Sequence, residues 1–234
     1  EDKKMKNSKG ILTGFAATLW MFMGTNVMGQ GSLTPPGAPG ETMKTLAQVE
    51  PRTPISSLPY TISEPGSYYV TGNLSSTGHG IVIEASGVTV DLMGFSLTWD
   101  GGNENYGGPG ENAYNGIYVT GSAEDKETMP HIFVAPPASA MGNGASSVAM
   151  IENLVIKRGR ISGFHDGLRC ENMSNSRIKE LVVSGNIYEG VFLSGYDGQC
   201  NGNTIADCTI SGNGQSGIYV YGYSGGCNGN TITD

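Results

Sequence analysis

The chain has 234 residues, 15% charged and 38% hydrophobic, and its 37 glycines are about twice the usual share of roughly 7%. That profile excludes a helical bundle and fits a turn-rich, all-β protein with a narrow core. The net charge is −8, and the lysines and arginines are scattered, with Lys157-Arg158-Gly159-Arg160 the densest internal cluster, so no nucleic-acid partner is expected.

Met5 reads as the start of a targeting segment, with residues 1–4 upstream of it. Lys6 and Lys9 form a basic region, Ile11 to Gly24 an apolar one, and Val27 and Gly29 suit a cut ahead of Gln30. Residues 1–29 therefore read as a secretory signal peptide, with an uncleaved anchor as the alternative. The apolar stretch is short for a membrane span, which takes about 20 residues. No stable membrane insertion is expected after cleavage, and the chain should be secreted or at the cell surface. Residues 30–59 read as a Pro/Gly-rich linker (GSLTPPGAPG) and a short N-terminal cap, with one helix over Thr42 to Glu50 ended by Pro51.

From Tyr60 onward a unit recurs. Each copy opens with a glycine and a short alternating strand: Gly80-Ile81-Val82-Ile83, Gly116-Ile117-Tyr118-Val119, Gly167-Leu168-Arg169-Cys170, Gly190-Val191-Phe192-Leu193 and Gly217-Ile218-Tyr219-Val220. The last two copies also share Cys-Asn-Gly-Asn-Thr-Ile, at residues 200–205 and 227–232. A period of roughly 20–30 residues with short strands and Gly or Asn turns is the mark of a solenoid. Alternation points Ile81/Ile83, Ile117/Val119, Leu168/Cys170, Val191/Leu193 and Ile218/Val220 inward. A second inward set recurs as Ile151, Leu154 and Ile156, then Ile178, Leu181 and Val183, then Ile205, Cys208 and Ile210. Asn186 and Asn213 take matching turn positions, where their amides can hydrogen-bond between coils. Asp100 to Asn115 and Ser122 to Ala149 break the period and read as inserted loops, either functional or tolerated. The chain stops inside a coil, so residues 60–234 read as a parallel β-helix domain truncated at its C-terminus.

These G-I-x-V strands and the I-x-x-C-x-I-S-G-N half-coil resemble right-handed parallel β-helix repeats of the pectate lyase-like superfamily, over about Tyr60 to Asp234. The resemblance implies fold strongly and activity weakly, because the superfamily spans lyases, hydrolases, epimerases, tailspikes and adhesins. It also implies a substrate groove along an outer face of the helix. Gly78-His79-Gly80 and Arg177-Ile178-Lys179 resemble two polygalacturonase motifs. The aspartate motifs of that family are missing upstream of His79, so these tripeptides carry no functional weight.

The outward positions of the opening strands are Val82, Tyr118, Arg169, Phe192 and Tyr219, followed by Glu84, Thr120, Glu171, Ser194 and Tyr221. Rings interleaved with Arg and Glu suit a sugar surface, so Tyr118, Arg169, Glu171, Phe192, Tyr219 and Tyr221 are candidate glycan-binding residues, against ordinary stacking between coils. Asp166 and Glu189 fall at matching positions about 5 Å apart on adjacent coils. With His165 and Arg169 they are candidate catalytic groups of a polysaccharide lyase or glycoside hydrolase, against a permissive turn position. The sequence therefore favours an exported β-helix that binds polysaccharide or a surface glycan; the alternatives are such an enzyme and a structural, adhesin-like solenoid. No cofactor is called for. Asp91 reads as a turn-satisfying residue, and the acids are too dispersed for a metal site. Cys170 and Cys208 point inward as thiols. Cys200 and Cys227 stack one coil apart at about 4.8 Å, slightly beyond disulfide geometry, which leaves a bridge open.

Overall fold

The computed structural model describes residues 51–102, 113–121, 149–195, 199–222 and 226–234. Every described residue lies in the unit Ala47–Asp234. The expected signal peptide, the helix over Thr42 to Glu50 and most of both inserted loops fall outside the described residues.

The described part is a parallel β-helix. One strand per coil builds a six-stranded sheet from Tyr60–Ile62, Ile81–Ile83, Ile117–Val119, Leu168–Glu171, Val191–Ser194 and Ile218–Tyr221. Every neighbouring pair is parallel. A second, ten-stranded sheet runs through Thr53–Ile55, Gly66–Val70, Val88–Asp91, Val155–Ser162, Arg177–Ser184, Thr204–Ala206 and Thr231–Thr233, with Leu74–Ser76, Ser96–Trp99 and Thr209–Ser211 beside that path. Ile151–Glu152 and Met173–Ser174 form a two-stranded third sheet. Among the described residues no helix is long and apolar enough to cross a membrane.

The repeat explains its own glycines. A Cβ on Gly116 would stand 2.3 Å from Ile161 Cγ2 and 2.6 Å from the Gly167 carbonyl. On Gly167 it would stand 2.3 Å from Val183 Cγ1 and 2.6 Å from the Gly190 carbonyl. Gly80, Gly116, Gly167 and Gly190 each lie against the next opening glycine, so a side chain there would force the coils apart. Apolar residues of both inward sets fill the narrow interior, and Ile81, Ile117, Leu168, Cys170, Val191, Ile156 and Val183 are fully buried. In the last coil Val220 is exposed and Ile218 only half-buried, because no further strand stacks on Ile218–Tyr221.

Asparagine ladders pin the turns. Asn186 Nδ2 donates to Asn213 Oδ1 at 2.9 Å, and Asn186 Oδ1 accepts the Phe164 N–H at 3.2 Å. A second ladder has Asn203 N–H donating to Asn230 Oδ1 at 2.9 Å, while Asn203 Oδ1 accepts the Ser176 N–H at 3.1 Å. Cys200 and Cys227 form a disulfide between the last two coils, at a Cα–Cα separation of 4.5 Å. The turn draws the two closer than ideal stacking, which settles what the spacing left open.

Candidate functional site

The outer face of the six-stranded sheet is assembled by register. Val82 pairs with Tyr118, Tyr118 with Arg169, Arg169 with Phe192 and Phe192 with Tyr219. Glu171, Ser194 and Tyr221 form the next column. The alignment is the one the repeat predicts, but its exposure differs. Tyr118 is 2% exposed and Phe192 8%, while Tyr219 is 42% exposed. Only the far end of the aromatic column is open.

Arg169 organises this face. Its Nε donates to Glu171 Oε1 at 2.8 Å, and its guanidinium carbon lies 4.5 Å from the centre of the Phe192 ring. Its Nη1 donates to Asp166 Oδ2 at 3.4 Å. The Tyr118 hydroxyl donates to the other Glu171 oxygen at 3.0 Å. Burial, reinforced by the Glu171 charge, holds that phenol far above its usual range, so it stays a donor. Burial alone would weaken the Arg169 charge, yet Glu171 and Asp166 raise its pKa above the ordinary value. A largely covered cation held between two carboxylates is a structural clamp, and removing one member leaves poorly solvated charge uncompensated.

The candidate catalytic residues do meet. Asp166 is fully buried, with Oδ1 3.2 Å from His165 Nδ1 and also accepting the Glu189 N–H at 3.2 Å. His165 stacks on Tyr188 at 4.2 Å. Burial would raise the Asp166 pKa, but the His165 hydrogen bond, the Arg169 charge and the hydrogen bond from Glu189 bring it down to about 2. Glu189 is half-buried; burial first, then the Asp166 charge and hydrogen bond, push it up to about 7. The shifts run in opposite directions: Asp166 keeps its charge, and Glu189 is the member of the pair that protonates first as pH falls. The two form a coupled pair whose more acidic member, Asp166, has no exposed surface.

A family model described as a periplasmic copper-binding protein (NosD) matches residues 61–234. The chain belongs to the NosD family. NosD proteins are right-handed parallel β-helices of the pectate lyase-like type, which agrees with the resemblance read from the repeats. No curated protein and no solved structure matches the chain. The family is periplasmic, in keeping with an exported chain. The expected polysaccharide or glycan partner is corrected. The NosD description points to a metal-related partner, and Tyr118 and Phe192 are covered rather than presented as a platform for a sugar.

The copper named in the family description can be tested against the donors present. Among the described residues no three His, Cys, Asp or Glu side chains come together as a metal-binding group. Cys200 and Cys227 are consumed by their disulfide. Cys170 lies in the core, where burial and the Glu171 charge keep its thiol protonated. Burial also raises the Cys208 pKa, and its Sγ lies 3.1 Å from the Ala206 carbonyl oxygen, which can accept the thiol hydrogen. His79 is stacked on Tyr118, with Nδ1 accepting the Asn115 N–H at 3.0 Å. A soft ion needs converging thiolate, thioether or imidazole donors. The described residues offer copper no converging set of thiolate and imidazole donors.

The register also reveals groups that sequence spacing left undefined. Asp91 accepts the Met93 N–H at 2.9 Å, as a turn-satisfying residue should, and it is bonded to Arg158 from the next coil as well. Tyr188 as the support of His165 carries no signal in the sequence, because its ring falls in a turn without period.

Proposed function

We propose that the chain is a periplasmic β-helix that serves copper handling as a rigid scaffold. The observation that carries this reading is the family match across the whole repeat region, residues 61–234, which supports both the location and the copper context. The described coils supply the body of the protein and not the copper donors: two thiols are oxidised to a disulfide and the other two are held protonated in or against the core. Copper on this reading is cargo, received from donors outside the described residues or from a partner. The Asp166–Glu189 pair acts here as a structural couple inside the coil turns, since Asp166 has no exposed surface to offer a substrate.

The test is a Cu(I) titration in competition with a chromophoric chelator. It compares the chain with a Cys170→Ser/Cys208→Ser variant. The two should take copper alike, because neither thiol is a donor. Loss of copper in the variant would place the site inside the coils and refute the scaffold assignment. No uptake of Cu(I) or Cu(II) by either form would exclude donors on this chain and leave a partner as the source of the copper ligands.

A further inference from the structure

The cations that look scattered in the sequence are gathered by the fold. The described residues include the basic side chains of Arg52, Lys157, Arg158, Arg160, Arg169, Arg177 and Lys179. All but Arg169 stand on the outer side of the ten-stranded sheet or at its edge, with Arg160 across the left-handed Arg158 turn from Lys157, Arg177 and Lys179. Register pairs Asp91 with Lys157 and Lys157 with Lys179, and it places Arg177 beside Val155 and Arg160 beside Ser96 and Val182. Arg158 projects from a left-handed bulge next to Lys157, with φ 58°. In a chain of net charge −8 this is a strong local reversal of sign.

The arrangement is not one that stability selects. Like charges directly opposite on neighbouring strands destabilise a sheet, and Lys157 and Lys179 are such a pair. Asp91 lies almost wholly buried beneath the cluster, bonded to Arg158, 3.6 Å from Lys157 and 3.8 Å from Arg52. One carboxylate thus orients three cations and neutralises one. Glu180 takes Lys179 at 2.6 Å, and the exposed Asp207 follows on the next coil. Arg160 and Arg177 are exposed, and neither has an ion-pair partner among the described residues. Thr89, Ser96, Ser162, Ser184 and Thr204 fill the face between them. Met93, 43% exposed, rises within this field with its sulfur 3.6 Å from Arg52 Nη1.

We propose that this face docks the protein peripherally on an anionic phospholipid bilayer, with the cations on headgroup phosphates. The charge is complementary, and the side chains project outward from the coils on both sides of the left-handed Arg158 turn, without converging on a concave site that would hold a small ion. Lys and Arg stems reach out from such a surface while their heads meet phosphate, and a lone exposed apolar side chain such as Met93 enters the headgroup boundary. The inference rests on the periplasmic placement proposed above and not on copper, so its test contains none.

The test is co-sedimentation of the full chain with phosphatidylcholine vesicles, with and without phosphatidylglycerol. Binding should require phosphatidylglycerol and vanish at high salt, where the screening length falls to about 3 Å at 1 M. The N-terminal segment carries Lys6 and Lys9 beside its apolar run and favours anionic lipid by itself; parent and variants share it, so the comparison between them decides. Each basic side chain near an anionic surface is worth roughly fivefold in partitioning. Arg160→Gln/Arg177→Gln, which removes two cations that hold nothing in the fold, should therefore lower anionic partitioning by more than about tenfold. Asp207→Asn should raise it severalfold. Equal binding to both lipids, or a double variant that partitions like the parent, would overturn the proposal. Retention on immobilised polyglutamate without vesicle binding would overturn it in favour of an acidic protein face.

Discussion

Gly167→Ala tests whether the opening glycines set the spacing of the coils. The added Cβ would stand 2.3 Å from Val183 Cγ1, 2.6 Å from the Gly190 carbonyl oxygen and 2.9 Å from Asn186 Nδ2. None of these can retreat freely. The Gly190 oxygen accepts the Leu168 N–H at 2.9 Å, and Asn186 Nδ2 donates along the ladder to Asn213 at 2.9 Å. Overpacking alone costs about 1–3 kcal/mol, and each strained hydrogen bond adds about 1 kcal/mol. The expected loss is about 3 kcal/mol, or roughly 6–12 °C in Tm for a domain of this size. Gly72→Ala is the control: nothing lies within 4 Å of its Cβ, and its backbone is not left-handed. That variant should stay within about 0.5 kcal/mol of the parent or gain slightly, because alanine restricts the unfolded chain. Urea unfolding of the two variants decides the matter. A Gly167→Ala protein as stable as Gly72→Ala would refute the steric account of the repeat.

The disulfide spans 27 residues, so chain-entropy arguments assign it about 3.5 kcal/mol. Cys200→Ser/Cys227→Ser should lose that amount in urea unfolding, and a loss under about 1 kcal/mol would mean that the stacked turns close the loop without it. The Asp166–Glu189 pair predicts a pH dependence. Glu189 has a folded pKa of about 7 against an ordinary 4.5, so its contribution is full below 4.5 and is lost as pH rises through 7. Asp166 runs the other way: its contribution, present above 3.8, is lost as pH falls through 2, outside the Glu189 window. Discounted for half-exposure, the Glu189 effect is about 1–2 kcal/mol. Glu189→Gln keeps an N–H donor beside Asp166 and should flatten the stability profile between the two pH values; profiles that run parallel would dismiss the Glu189 shift.

Much of the fold was legible because a solenoid writes its structure once per coil. The G-I-x-V openings, the two inward apolar sets and the matching asparagines each recur with the chain, so alternation and period place them without reference to distant contacts. Register followed for the same reason, and the columns Tyr118–Arg169–Phe192–Tyr219 and Asp166–Glu189 stand where the repeat puts them. Burial at those columns was not legible. Alternation says that Tyr118 points outward, but not that His79 stacks on its ring and Glu171 takes its hydroxyl. A platform for sugars was the natural expectation for exposed rings, and the covered rings together with the family match correct it.

The sequence by itself determined the secondary-structure period, the parallel stacking and the identity of the core, because each depends on neighbours one coil away that repeat the same pattern. Tertiary structure alone decided how charge is distributed. Arg52, Lys157, Arg160 and Arg177 are separated by up to 125 positions in the chain, yet coils rising about 4.8 Å each bring them onto one face. The ion pairs of the buried Asp91 with Arg158, Lys157 and Arg52 arise in the same way. Coulombic energy depends on distance in space, and the chain folds far-apart charges into reach of one another without leaving a periodic trace.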